Sequence, residues 1–238
     1  MGRMPSPKRP EEEFAMSHDE PPTPMDVRPY ESYRPYEGGE DLTVRESSLF
    51  HDGRGAVWET LRRLTTRLDE EGIPYAVIGA MALIAHGYRR ETTDIDLVMT
   101  AEARRRAHEA IDGLGFRPPF EGSRNLRDTT TGVKIDLVLA GQFAGTDDAK
   151  PIAFPDPSVE PVFVKERVRY VTLEKLMELK LASGISNSGR AKDLGDVQAA
   201  IGAIRLPRAF GERLHPWVQA KWYELWDAWD QDPRKDMF

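Results

Sequence analysis

Apolar residues first recur at helical spacing at Val57, Leu61, Leu64 and Leu68, and Gly72 follows as a stop signal. The run from Val57 to Gly72 is therefore predicted to be a helix, with order beginning near Gly53. Pro74 opens YAVIG, a short unbroken apolar run that predicts a strand. AMALIAHG predicts a short helix closed by Gly87, DIDLVMT a strand, and AEARRRAHEAIDGLG a helix ending at Gly113 or Gly115. NLRDTTTGVKIDLVLAG predicts two strands joined by a Thr-Thr-Gly turn. Further strands are expected at Pro161 to Val164 and around Arg167 to Val171. From Thr172 the pattern is helical: TLEKLMELKLASG, with a Thr cap and an end at Gly184, then RAKDLGDVQAAIGAI, then one or two helices over 207–230. The fold class expected is α+β, a small mixed β-sheet with flanking helices followed by a C-terminal helical subdomain. The expected division is an arm over 1–50, a core over 51–171 and helices over 172–238.

The arm has its own signature. Residues 1–50 carry prolines at short intervals, few aliphatic residues and more acids than bases. Such a segment cannot bury enough apolar surface to offset the entropy of ordering, so disorder is expected. The near-repeat Arg28-Pro29-Tyr30 and Arg34-Pro35-Tyr36 leaves a protein-docking arm as the alternative to an idle tail.

A formal charge of −7 excludes a protein that coats nucleic acid by electrostatics alone, but not one with a local basic cleft. The absence of cysteine excludes disulfides, thiolate catalysis and cysteine-ligated zinc. No run has the apolar length of a membrane span, and prolines and charges stand where a signal peptide needs an apolar core. The expectation is a soluble cytoplasmic protein.

The candidate chemistry lies in three places. On a strand, alternate residues share a face, so Ile95, Leu97 and Met99 point one way and Asp94 and Asp96 the other. Two carboxylates side by side repel, and a cation between them relieves that repulsion. Oxygen ligands without histidine suit Mg2+ or Mn2+. In Val133–Leu139, Ile135, Leu137 and Leu139 form an apolar face, and Asp136 lies on the other. If the two strands are neighbours, the three acids can hold two divalent ions, the arrangement that stabilises a phosphoryl displacement. The third place is the turn at Gly79 and Ala80, where a glycine before a helix lets phosphate oxygens approach backbone N–H groups.

YAVIGAMALIAHGYRRETTDIDLVM resembles the core of the nucleotidyltransferase superfamily that includes DNA polymerase beta. More narrowly, it resembles the bacterial branch of AbiEii-type toxins and minimal nucleotidyltransferases. The matching positions are Gly79, His86-Gly87, Arg90, Thr92, Asp94, Ile95, Asp96 and the later Asp136, within a resemblance spanning about 55–200. One position departs: the family's second glycine or serine is Ala80 here, which removes a hydroxyl and leaves room for a degenerate enzyme. The resemblance also covers the Leu-Glu-x-Leu and Arg-x-Lys-Asp-x-x-Asp segments of the helical half. It implies Lys180 as a phosphate contact and Asp193 as its partner or a base contact. Arg190 and Lys192 are further usable phosphate contacts, and Asp196 is expected to stabilise its helix N-terminus.

The activity so implied is transfer of a nucleoside monophosphate from a nucleoside triphosphate (ATP among the candidates) to an acceptor hydroxyl. The acceptor would be an RNA end, a protein or an aminoglycoside-like small molecule, in a toxin-antitoxin or defence setting. Two alternatives stay open. One is a catalytically degenerate relative that binds a partner protein through the arm or the C-terminal helices. The other is a structural calcium site. The bland readings are that His86 satisfies a backbone group, that Arg104, Arg105 and Arg106 form a charged helix face, and that Trp217, Trp222, Trp226 and Trp229 form a packed stripe or partner surface.

Overall fold

The structure is a computed structural model, and it describes residues 47–233 and 235. The predicted arm lies outside these residues except at its end, where residues 47–51 form a helical turn. Phe50 of that turn packs on the core, and its carbonyl accepts from Trp58 Nε1 at 3.0 Å.

Helix α1 (Ala56–Glu70) buries Val57, Thr60, Leu61, Leu64, Thr65 and Leu68, one stripe at helical spacing. Strand β1 (Ala76–Ile78) is buried on both faces and runs directly into the short helix α2 (Gly79–Ala85). Strand β2 (Asp94–Met99) follows, then α3 (Ala101–Ile111), started by a Thr100 side chain that accepts from Ala103 N at 3.0 Å. Three strands come next: β3 (Phe116–Arg117), β4 (Leu126–Asp128) and β5 (Lys134–Leu139). The hairpin β6 (Val162–Lys165) and β7 (Val168–Val171) completes the sheet.

The sheet is mixed and seven-stranded, in the order β3-β4-β5-β2-β1-β7-β6. The pairs β2–β5 and β1–β7 are parallel, and the others are antiparallel. Helices α1 and α3 pack on the sheet, and α2 packs on β1, β2 and α4. Helix α4 (Leu173–Ser186) is buried at every position from Leu176 to Ser183, which marks it as the central helix of the second half. Helices α5 (Ala191–Ile204) and α6 (Pro216–Asp230) surround it. The tryptophans sit in that bundle: Trp222 is fully buried, and Trp226 Nε1 donates to the Leu206 carbonyl. No helix among the described residues is long and apolar enough to cross a membrane.

Two helix ends and one short strand differ from the sequence expectation. Helix α3 ends at Ile111, and the glycines beyond it belong to the turn that leads into β3. That strand has only two residues, too few to show an alternating pattern. Helix α4 runs through Gly184 to Ser186. A Cβ at Gly184 would lie 2.4 Å from Leu194 Cγ, so this glycine permits close packing of α5 rather than stopping a helix.

Candidate active site

Strand β2 presents Asp94 and Asp96 on one face, with Ile95 between them fully buried in the core. The parallel register with β5 sets Asp136 beside Asp96 and Lys134 beside Asp94. The four charged side chains therefore share the open face of the sheet. Thr92 Oγ1 donates to Asp94 Oδ1 at 2.5 Å and fixes that carboxylate. Lys134 Nζ donates to Asp136 Oδ2 at 2.7 Å, while Asp136 Oδ1 is buried with no hydrogen-bond partner among the described residues. Burial, then the neighbouring Asp94 and Asp136 charges, raise the Asp96 carboxyl from 3.8 to about 7.

Gly79 closes this side of the site. Its φ is +66°, and a Cβ there would stand 2.2 Å from Asp96 Oδ2. No side chain fits without displacing the carboxylate, so the glycine admits Asp96 to the foot of α2. Ala80, next along, is 8% exposed and lines the same space.

The opposite wall is helical and carries a closed ionic network. Arg90 Nη1 donates to both oxygens of Asp196 at 2.6 Å. Lys180 Nζ donates to Asp196 Oδ2 at 2.7 Å and to Asp193 Oδ1 at 3.0 Å. Ser183 Oγ donates to Asp193 Oδ2 at 2.6 Å. At the rim, Arg190 and Lys192 are exposed and form no salt bridge among the described residues.

These walls enclose a cleft of about 790 Å³. Every residue predicted for the catalytic or nucleotide site lines it: Asp94, Asp96, Asp136, Gly79, Ala80, Arg90, Thr92, Lys180, Arg190, Lys192 and Asp193. Asp193 is the partner of Lys180, as the resemblance implies, whereas Thr92 and Arg90 are engaged within the protein. Thr92 is spent on Asp94, Arg90 on Asp196, and both oxygens of Asp193 are engaged by Lys180 and Ser183. Asp196 requires correction. It lies in the second turn of α5, 7% exposed, and holds two cations rather than a helix end. The spacing from Asp193 to Asp196, i to i+3 on one helix face, is the signal in the chain that points to this. Lys134 is a further charged residue of the cleft that the motifs do not mark, although its position two residues before Asp136 puts it on the same strand face. Asn125 and Gln142 line the cleft too and carry no local signal.

His86 and the arginine run have structural partners. His86 Nε2 lies 2.9 Å from the Val171 carbonyl, and the ring stacks on Phe163. Arg105 pairs with Glu102 and Glu109, and Arg106 donates to the Glu71 carbonyl.

The carboxylates bear on whether a divalent ion belongs here. Among the described residues, no three acidic or imidazole side chains stand close enough to cage an ion as they are. The donor set nevertheless fits a hard divalent cation. It is all oxygen, and among the described residues it leaves a buried carboxylate oxygen unpartnered and only one of its three acids salt-bridged, Asp136 by Lys134.

No family model and no curated protein matches the chain in sequence. Among solved structures it is similar to ANT(2″)-Ia in complex with adenylyl-2″-tobramycin, with 16% identity, 70% of this chain and 96% of that one covered, and a TM-score of 0.46. A solution structure of ANT(2″)-Ia, described as an antibiotic-resistance factor, has 16% identity, coverage of 71% and 90%, and a TM-score of 0.43. A protein assigned as a nucleotidyltransferase from H. pylori has 18% identity, coverage of 76% and 84%, and a TM-score of 0.41. Each likeness is loose, so the functional reading stands on the site's own residues.

Proposed function

We propose that the chain is a divalent-cation-dependent nucleotidyltransferase that moves a nucleoside monophosphate from a nucleoside triphosphate to an acceptor hydroxyl. The observation that carries this is Asp136 standing in register beside Asp96, with Asp94 two residues along the same strand, on one open face. Asp94, Asp96 and Asp136 would hold Mg2+ or Mn2+, which supplies charge neutralisation of the transferring phosphoryl group and the leaving pyrophosphate. The triphosphate would lie between the foot of α2, at Gly79 and Ala80, and Arg190 and Lys192 at the α5 rim, which have no salt bridge among the described residues.

The acceptor hydroxyl oxygen attacks the α-phosphorus. The new phosphorus–oxygen bond forms as the bond to the bridging oxygen of the β-phosphate breaks, and pyrophosphate leaves with that electron pair. The hydroxyl proton passes to Asp136, whose Oδ1 has no hydrogen-bond partner among the described residues. Lys180 and Arg90 hold the helical wall in place through Asp196.

A specific observation favours a second reading, a degenerate relative that binds but does not transfer. The Lys134 ammonium lies on Asp136, where a catalytic ion would compete with it, and Ala80 lacks the family's hydroxyl. One experiment separates the two. The protein is incubated with each α-labelled triphosphate, Mg2+ or Mn2+, and total cellular RNA or lysate. Label moved to an acceptor by the wild type and not by Asp136→Ala supports transfer. No labelled product, together with no ion-dependent thermal shift from any triphosphate, sinks it.

A further inference from the structure

A row of cations leads across the sheet to the carboxylates. The β3–β4 register sets Arg117 opposite Arg127, and the β4–β5 register sets Arg127 opposite Lys134. Lys134 in turn lies beside Asp94. Residues in register project to the same face, so Arg117, Arg127 and Lys134 share the open face with Asp94, Asp96 and Asp136. The alternate residues Phe116, Leu126 and Ile135 turn to the other face and are buried.

Like charges placed directly opposite one another destabilise a sheet. No carboxylate among the described residues relieves that cost on the outer strands. Arg127 gives one N–H to the Gly132 carbonyl at 2.7 Å, and neither Arg117, Arg127 nor the adjacent Arg124 has a carboxylate partner among the described residues. The arrangement makes sense if an anion completes it.

A second hollow of about 430 Å³ lies on the same side. It is lined by Arg124, Arg127, Lys134, Pro119 and Phe120, and it shares Lys134 and Asn125 with the large cleft. Phe120 is 67% exposed, with its ring free. An exposed aromatic ring beside unpaired arginines suits an unstacked base with its phosphates.

We propose that Arg117, Arg127, Lys134 and Phe120 form the acceptor track, and that the acceptor is a single-stranded nucleic acid. Its phosphates lie along the cation row, one base stacks on Phe120, and its terminal hydroxyl reaches the carboxylate end of the row. A duplex hides its base faces and would leave Phe120 unused. The triphosphate does not compete for the row, because Arg190 and Lys192 serve it from the α5 side. The overall charge of −7 does not oppose this, since the charge is local. This inference rests on the transferase reading for the word acceptor, but its binding test does not.

The test uses the full chain and a short fluorescent single-stranded RNA, without triphosphate. The double variant Arg117→Gln with Arg127→Gln should weaken binding at least tenfold. It should also flatten the slope of log affinity against log salt by ~1.4, about 0.7 for each phosphate no longer neutralised. Phe120→Ala should weaken RNA binding about tenfold while leaving inorganic polyphosphate binding unchanged. All three substitutions should keep the ion-dependent thermal shift with triphosphate, and the arginine pair should melt no earlier than wild type. RNA affinity that ignores the arginine pair overturns the proposal. Loss of the triphosphate shift in that variant also overturns it, by giving the row to the nucleotide. Equal affinity for an acidic polypeptide, with Phe120→Ala indifferent, gives the track to a protein instead. RNA bound by the track but never labelled by wild type sinks the transferase reading and leaves the binding site. Transfer to a small acceptor without RNA binding sinks the track alone.

Discussion

The helical wall of the cleft carries two carboxylates, Asp193 and Asp196, and matches them with two cations, Lys180 and Arg90. The sheet wall carries three, Asp94, Asp96 and Asp136, and among the described residues matches them with one, Lys134. Both walls line the same space, so the contrast is not one of solvent access alone. In the first group every charge is answered, which is what a buried group needs to persist as scaffold. In the second the charges are left in surplus, one carboxyl is pushed up to about 7, and one oxygen is orphaned. Surplus like charge held by a rigid sheet is costly unless something arrives to neutralise it, and the proposed function makes the sheet wall the working one on that ground.

If the two walls have these separate roles, substitutions on them should separate activity from stability. The largest effect is expected at Asp136 or Asp96. Alanine at either should lower transfer about a thousandfold, ~4 kcal/mol in the barrier, measured with labelled triphosphate. The same variants should melt no earlier than wild type in the absence of divalent ions. A large loss of melting temperature with activity retained would reverse the assignment of the walls.

Asp196→Ala should do the opposite. It strips the shared partner from Arg90 and Lys180, whose side chains are 17% and 9% exposed. The expected cost is about 3 kcal/mol, or roughly 6–12 °C in melting temperature. Calorimetry checks it, and a drop of no more than a degree would show that the network is not scaffold.

The two walls also differ in how far the chain alone discloses them. Asp94 and Asp96 are two residues apart on an apolar strand, and Asp136 sits in a second such strand, so local periodicity shows which faces they take. That β5 lies parallel beside β2, in register at Asp96 and Asp136, is not legible. The chain passes through α3, β3 and β4 between them, and pairing over such a distance leaves no local mark. Asp196 misleads for the same reason. Its partner Arg90 is 106 residues away, and a carboxylate near a helix start looks the same whether it faces water or a buried guanidinium. The cation row is hidden as well, because Arg117 lies in a two-residue strand that no pattern predicts. Gly184 shows the limit of punctuation: a glycine needed for helix packing reads in sequence as a stop.

A smaller effect should appear in the pH dependence of the ion-free protein. The Asp96 carboxyl is raised in the fold from 3.8 to about 7. A raised acid contributes stability that is complete below its unfolded value near 4 and is lost as pH rises through 7. Wild type without divalent ions should therefore weaken between pH 4 and 8 and level off above. Asp96→Asn removes that slope and should be the more stable protein at pH 8 by about 2 kcal/mol, water in the open cleft screening the rest. Added Mg2+ should recover wild type and leave the variant unmoved. Parallel melting curves across this pH range would mean that the charge on Asp96 is already answered.

The smallest effect should be at the rim, where the comparison can be sharpened rather than broken. Arg190 and Lys192 are exposed and unpaired among the described residues, so neither wall depends on them for folding. Replacing both with alanine should change stability by less than about 0.5 kcal/mol. If they hold the triphosphate, KM for it should rise severalfold with kcat little changed, because an interaction made equally to substrate and transition state affects binding alone. A fall in kcat at constant KM would instead place them against the transferring phosphoryl group. That outcome would extend the working surface from the sheet wall to the first turn of α5, leaving Asp193 and Asp196 behind it as the fixed backing.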